Sequence, residues 1–319
     1  MKRVAILLCG HLRSYKDSYV SFVNNLLKPL EKEGYVVDIF LHSWKETDTC
    51  EQSWHNIDGD KRGREVTTED ADCIKLFYNP KDFLLENQLQ VDNFELREIF
   101  MNLPRQYSAV INSAYTKFKV NDLRLKYEQK NHITYDYVIQ TRPDILFNKS
   151  FSIDKFLNTY TTYELEIPSN AVFTACAPFR RGLLESDIFL CSIDLILFAK
   201  PQVINKINNF YNSILTGELS QEWIKNNLYS LEILWLMYLK YLKIDLVRLK
   251  YFQFIDYDIL RDIKEYSKIP SIVDASIKKQ EYKKGIKFKK IRKEILKVMP
   301  YFLVNKQIDK LNNEINKEF

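Results

Sequence analysis

The residues of this chain with the clearest chemical potential are Arg142 and Asp144, which are separated only by Pro143. Apolar runs flank this tripeptide, at 138–139 before it and 145–147 after it. Proline fixes φ and removes a backbone donor, so it belongs at a strand end or bulge and not in a central ladder. A charge between two buried runs is costly unless it is paired or bound to a ligand. The pattern predicts a strand end that presents a carboxylate and a guanidinium, either as a ligand site or as a structural ion pair.

A second group of polar residues follows the apolar run at 4–9, which is typical of a strand buried on both faces. Gly10, His11 and Arg13 come directly after it. Ligands of open α/β sheets bind beyond the carboxyl ends of the strands, so this turn is expected to line a cleft. Gly10 would let a ligand approach closely, and Arg13 would reach its anionic part. The alternatives are a surface cation for Arg13 and a structural turn residue for His11.

His42 and Trp44 follow the next apolar run, at 36–41, and are expected at the same rim. Trp44 either stacks on a ligand ring or packs against the core. A helical pattern over about 20–30 ends at Gly34 between the two apolar runs. Strand, helix and strand form a βαβ unit, which favours α/β architecture with a mainly parallel sheet.

The elements further along the chain are less regular. The polar, aperiodic stretch from about 45 to 75 predicts a surface loop. Apolar periodicity predicts a helix over 105–129, strands near 171–175 and within 187–199, and helices from Pro201 and over 220–242. Together with the first βαβ unit, these elements predict one α/β domain over residues 1–250.

The composition is that of a globular protein, with 319 residues of which 46% are hydrophobic and 28% are charged. Only seven glycines are present, and no GxGxxG or Walker loop occurs, which argues against a P-loop NTPase or a typical dinucleotide-dependent dehydrogenase. The five cysteines are scattered without zinc spacing, as expected in a reducing cytosol. No apolar run approaches the ~18 residues of a transmembrane helix.

Residues 251–319 are predicted to form a helical, basic C-terminal extension. From Lys278 to Lys297 there are ten Lys or Arg against two Glu, whereas the whole chain has a net charge of only +5. Apolar residues interleave with these bases, among them Ile286 and Phe288. Basic amphipathic helices bind anionic membrane surfaces. A solvated helix face and nucleic-acid binding are the alternatives, but no nucleic-acid motif is present. We therefore expect a cytoplasmic protein that is peripheral at the inner face of the membrane and binds no nucleic acid.

Segments 4–15 with 38–44, 135–144 and 187–192 resemble bacterial surface-polysaccharide glycosyltransferases with a GT-A-type fold. The resemblance spans roughly residues 1–245. It implies a mixed, mainly parallel sheet flanked by helices. It also implies an enzyme that transfers a sugar from a nucleotide-sugar, expected to be a UDP-sugar, to a hydroxyl group. The acceptor would be a saccharide or a lipid-linked saccharide of a capsule, O-antigen or related glycan.

In that family an Asp-x-Asp motif holds a divalent cation that bridges the donor phosphates. Here Arg142 stands in the place of the first Asp and Asp144 in the place of the second. The resemblance implies that Asp144 ligates Mn²⁺ or Mg²⁺, or else that Arg142 takes over part of the charge by binding phosphate. It also implies that the donor is bound by the polar residues at the strand ends, namely Gly10, His11, Arg13, His42, Trp44, Arg142 and Asp144.

An inverting enzyme also needs a carboxylate that deprotonates the acceptor hydroxyl. Asp187 is the preferred candidate, with Glu185 and Glu232 as alternatives. Two rival functions remain open. A nucleotidyltransferase would share the sheet, but the first turn lacks the Gly-rich, Lys-containing loop of such enzymes. A non-catalytic scaffold of a polysaccharide assembly complex would account for the missing first Asp.

Overall fold

The computed structural model describes a large part of the chain, and the predicted extension lies mostly outside that part. The described residues are 2–48, 63–89, 107–162, 165–180, 189–191, 195–220, 222–224, 231–248, 252 and 256–259. The basic stretch 278–297 lies outside them, so its predicted helix and membrane contact stay predictions.

Strands and helices alternate through most of these residues. The strands are β1 (Lys2–Cys9), β2 (Tyr35–Trp44), β3 (Asp82–Glu86), β4 (Tyr137–Thr141), β5 (Ile145–Phe147), β6 (Ala171–Thr174), β7 (Cys176–Arg180), β8 (Phe189–Cys191), β9 (Ile196–Ala199), β10 (Asp245–Arg248) and β11 (Tyr257–Ile259). The helices are α1 (Tyr15–Phe22), which continues through a π turn (Val23–Leu27) into α2 (Lys28–Lys32), α3 (Thr68–Tyr78), α4 (Tyr107–Asn131), α5 (Ile153–Thr162), α6 (Pro201–Asn208), α7 (Phe210–Leu215) and α8 (Leu231–Tyr241).

Seven strands form one sheet in the order β10-β6-β9-β4-β1-β2-β3. Strand β9 runs antiparallel to both of its neighbours, β4 and β6, and every other neighbouring pair is parallel. Two antiparallel pairs, β5 with β11 and β7 with β8, lie outside this sheet. The chain therefore has an α/β fold with a mixed, mostly parallel sheet, which is compatible with a Rossmann-like architecture.

The core lies on both faces of the sheet because successive residues of a strand point to opposite sides. In β1, Ala5 and Leu7 join a buried cluster with residues of α4, α6, α7 and α8. Ile6 and Leu8 join the other cluster, with residues of α1, α2, α3 and α5. All four side chains are fully buried, as the continuous apolar run predicts for a central strand.

Several predicted elements are confirmed and others need correction. The helices expected over 105–129 and from Pro201 are α4 and α6. The second strand is longer than the apolar run at 36–41, so His42 and Trp44 lie within β2 and not after it. The loop predicted over 45–75 is wrong from residue 68 onward, where a helix begins. There Thr67 accepts a hydrogen bond from the Asp70 amide and starts α3 with a capping box.

Residues on both sides of the predicted domain boundary at 250 take part in the packing. Strand β10 is an edge strand of the main sheet, while β11 pairs with β5. Phe252 is buried among aromatic residues that include Phe147 and Phe151. In the described part of the chain, no helix is both long and apolar enough to cross a membrane.

Candidate functional site

The carboxyl ends of β1 and β4 define the position of the candidate site. From β1 the chain adds β2 and β3 on one side, and it then returns to place β4 on the other side of β1. Such a reversal of strand order opens a crevice in which α/β proteins bind ligands. Gly10 follows β1 and Arg142 follows β4, and a Cβ atom on Gly10 would lie 3.9 Å from Cγ of Arg142. The φ of +110° at Gly10 is one that side-chain-bearing residues rarely adopt.

Asp144 is the centre of an ion-pair cluster in this crevice. Nε of Arg142 donates to its Oδ1 at 2.8 Å, and Nη2 of the same guanidinium donates to Oδ2. Nη1 of Arg13 donates to Oδ2 at 2.9 Å. Asp144 is fully buried, so these contacts are shielded from water and both carboxylate oxygens are occupied. Two arginines, one from each strand end, thus converge on one carboxylate.

The charge state of this cluster follows from its geometry. Burial by itself raises the pKa of Asp144, but the guanidinium groups of Arg142 and Arg13 outweigh it and lower that pKa to about 2. Asp144 is therefore ionised at neutral pH and neutralises one of the two cations. The second counter-charge is Asp48, whose Oδ1 accepts from Nε of Arg13 at 2.7 Å.

The backbone around Arg13 is shaped for this contact. Arg13 has a φ of +42°, and its amide donates to the carbonyl of Thr47 at 2.8 Å. Gly63 packs against the backbone of Asp48, so closely that a Cβ atom on Gly63 would lie 2.3 Å from the carbonyl oxygen of Asp48. The guanidinium side chains of Arg13 and Arg142 are 14% and 16% exposed, so each keeps a face toward solvent.

Helix α1 fixes the turn that carries Arg142 and Asp144. The Ser18 hydroxyl donates to the carbonyl of Pro143 at 2.5 Å. Ser21 accepts from the amide of Phe147 at 3.1 Å, and the Asn25 amide group donates to the Phe147 carbonyl at 2.7 Å. A proline at the strand end thus redirects the chain, and three polar side chains, two from α1 and one from the π turn that follows it, hold this segment in place.

A buried hydrogen-bond chain supports Gly10 from below. The Gly10 amide donates to Oγ1 of Thr116 at 3.2 Å, and that oxygen lies 2.8 Å from Nδ1 of His42. Nε2 of His42 lies 3.0 Å from Oε2 of Glu86. Because a carboxylate only accepts, we assign the proton to Nε2, and Nδ1 then accepts from Thr116. Burial lowers the pKa of His42 although Glu86 opposes the change, so the ring is neutral at pH 7.

Trp44 is buried beside these hydrogen bonds, and His11 is partly buried there. Trp44 is only 2% exposed, and its ring stacks on Tyr115 with centroids 5.9 Å apart. Nδ1 of His11 lies 3.3 Å from the carbonyl oxygen of Glu46, and its Nε2 lies 2.7 Å from Nε2 of Gln88. Burial and the charge of Arg13 lower the pKa of His11 to about 3, so it is neutral. In this structure the side chains of His42 and Trp44 are buried, whereas those of Arg13 and Arg142 are partly exposed at the carboxyl ends of β1 and β4.

The expected divalent cation does not fit the side chains described around Asp144. Mg²⁺ and Mn²⁺ prefer several oxygen ligands in a regular shell. Both oxygens of Asp144 already accept from guanidinium groups, which would repel a cation placed beside them. Across the described ranges no group of three His, Cys, Asp or Glu side chains is arranged to hold a metal ion.

The side chains of the carboxylates that were predicted on the acceptor side lie outside the part of the chain that the structure describes. Asp187 and Glu185 lie in residues 181–188, outside the described part. Glu232 is in the first turn of α8, but its side chain is also outside what the structure describes. Sequence reasoning missed Asp48 and Thr116. Asp48 lies in the stretch that was predicted to be a loop. Thr116 is a polar residue of helix α4, which was predicted from its apolar periodicity.

Neither a scan against protein-family models nor a search of curated proteins found a match to this chain.

Proposed function

We propose that this chain is a glycosyltransferase that moves a sugar from a nucleotide-sugar, with a UDP-sugar as the proposed donor, to a hydroxyl of a saccharide or lipid-linked saccharide. One observation carries the proposal: Arg13 and Arg142 converge at the point where strand order reverses between β1 and β4. Paired guanidinium groups suit a diphosphate because each can bind phosphate oxygens through two parallel hydrogen bonds. The mixed, mainly parallel sheet agrees with the GT-A-type fold that the sequence resemblance implies.

The proposed chemistry assigns the departing diphosphate to the two arginines. Negative charge builds on the diphosphate as its bond to the sugar breaks, and fixed cations in a partly dry crevice stabilise that charge without reorganising. Asp144 would hold both guanidinium groups in position before the donor binds. On the acceptor side we propose Asp187 as the base that deprotonates the hydroxyl, with Glu185 and Glu232 as alternatives. Donor and acceptor alignment supplies a further part of the acceleration.

We further propose that the protein works at the inner face of the cytoplasmic membrane. The support is the basic stretch 278–297, with ten Lys or Arg against two Glu. Each such base near an anionic surface contributes about 1 kcal/mol to membrane binding. A lipid-linked acceptor would be presented at that surface.

A second candidate function is a non-catalytic scaffold. The observation that favours it is that, among the described residues, the carboxylates of Asp48 and Asp144 pair with the guanidinium groups of Arg13 and Arg142. A relative that had lost catalysis would keep such an ion-pair cluster for stability alone.

Release of nucleoside diphosphate separates the two functions. The full chain is incubated with a panel of UDP-, GDP-, CDP- and ADP-sugars in the presence of anionic vesicles and bacterial lipid extract. A transferase releases the diphosphate from one donor class, and Arg142→Ala abolishes the release. Arg3→Ala is the matched control, since Arg3 pairs with Asp38 at the opposite end of β1 and should leave the rate unchanged. Absence of turnover with every donor would favour the scaffold.

A further inference from the structure

The contacts of Asp144 bear on how the donor charge is neutralised. Its two oxygens receive three hydrogen bonds from two guanidinium groups, and the carboxylate is fully buried. A metal ligand must place an oxygen about 2.0–2.1 Å from Mg²⁺ with the remaining ligands in an octahedron. The cation would then stand beside two fixed positive charges, and Asp144 would first have to release at least one arginine.

Arg13 has capacity for a further anion. Its Nε donates to Asp48 and its Nη1 to Asp144, whereas Nη2 donates to no residue in the described ranges. A phosphate that binds one edge of the guanidinium through Nε and Nη2 would replace Asp48 at Nε. The side chain of Asp48 is 24% exposed and is therefore partly in contact with water, while that of Asp144 is fully buried.

We propose that this site binds the diphosphate of its donor without a divalent cation, with Arg13 and Arg142 supplying the positive charge, Asp144 orienting them, and Asp48 acting as the carboxylate that the diphosphate displaces. The inference rests on the proposed function. It gives the two carboxylates opposite roles, because Asp144 assists the ligand and Asp48 competes with it. A metal site built on the same carboxylates would need both of them.

Calorimetric titration of the full chain with UDP, GDP, CDP and ADP tests this, each in EDTA and in Mn²⁺. We expect one nucleotide to bind in EDTA with an affinity within about twofold of that in Mn²⁺. Loss of charged hydrogen bonds in Arg13→Ala or Arg142→Ala should weaken binding about 10- to 100-fold. Asp48→Asn should strengthen binding about two- to fivefold, because it removes a partly exposed competitor. Arg3→Ala should change nothing.

The outcomes distinguish the inference from the function on which it rests. Binding that requires Mn²⁺, or that is lost in Asp48→Asn, overturns the metal-free site but keeps a nucleotide-dependent enzyme. Absence of binding under both conditions overturns the proposed function itself. Arg142→Lys keeps a positive charge without the paired donors, so it guards against a folding defect. It should fold as the native chain does yet bind more weakly, and native affinity in this variant would contradict the assigned role.

Discussion

Replacing Asp144 by Asn should destabilise the fold through a specific charge imbalance. The substitution keeps the shape of the side chain and one acceptor oxygen, but it leaves Arg13 and Arg142 facing each other with Asp48 as the remaining described counter-charge. Removing one partner of a buried ion pair costs about 3–5 kcal/mol. Both guanidinium groups are partly exposed and an amide oxygen remains. We therefore expect the free energy of unfolding to fall by about 3 kcal/mol, at the lower end of that range. For a chain of 319 residues that corresponds to a fall in Tm of about 4–5 °C.

The pH dependence of the stability that Asp144→Asn loses identifies the cause of that loss. The arginines lower the pKa of Asp144 from its ordinary 3.8 to about 2 against the effect of burial. A carboxyl group that is more acidic when folded stabilises the protein above the unfolded pKa, near pH 4, and this contribution disappears as pH falls toward 2. The difference is worth about 2 kcal/mol. The difference in unfolding free energy between wild type and Asp144→Asn should therefore be constant from pH 7 to about pH 5 and become smaller below about pH 4.

Urea unfolding of both proteins between pH 7 and pH 3 measures this difference in unfolding free energy. His11 and His42, which are neutral when folded, lower the stability of both proteins as pH falls below about 6.5, so the difference between the two curves is the quantity to plot. Asp72→Asn is the control, because that carboxylate is exposed and its pair with Lys75 should contribute less than about 0.5 kcal/mol. A loss in Asp144→Asn no larger than the control, or a gap that does not change with pH, would refute the reasoning.

Four further perturbations test other parts of the account. Gly10→Ala should cost about 1–2 kcal/mol of unfolding free energy in urea denaturation, because φ is +110°, a conformation that alanine rarely adopts. Thr116→Val should remove one of the two acceptors of the Gly10 amide, which also donates to the His42 carbonyl, together with the hydroxyl contact to Nδ1 of His42; it should lower stability by about 1–3 kcal/mol in a denaturation assay, whereas Thr116→Ser should keep the wild-type value. Thr67→Ala should cost about 1 kcal/mol through loss of the α3 cap, measured in the same way, without changing nucleotide affinity. Deletion of 278–319 should abolish co-sedimentation with anionic vesicles, and undiminished co-sedimentation would contradict the membrane assignment.

The sequence predicted the elements that local pattern determines. The continuous apolar run of β1 and the proline at 143 were sufficient to predict a buried strand and a strand that ends at this proline. Alternation of strands and helices predicted the α/β class. These features depend on residues that are close together in the sequence, so the pattern of apolar residues predicts them.

The rest depends on contacts that local pattern does not encode. The antiparallel direction of β9 is invisible in an apolar run, because strand direction is set by how the chain crosses the sheet. Asp48 reaches Arg13 only because the backbone of Arg13 is held at a positive φ against Thr47. Thr116 becomes buried only where α4 crosses the end of β1. Helix α3 did carry a local signal, the capping box of Thr67 and Asp70, but the mixed charges around it favoured a loop.

A crystal structure of the full chain, grown with EDTA and the nucleoside diphosphate that binds best, tests the central claim most directly. We predict phosphate oxygens within hydrogen-bond distance of the Arg13 and Arg142 guanidinium groups, with Asp144 still bound to both and Asp48 turned away from Arg13. A diphosphate bound elsewhere on the protein would contradict it, and so would crystals that take up the nucleotide only when Mn²⁺ replaces EDTA and then show the metal on Asp144.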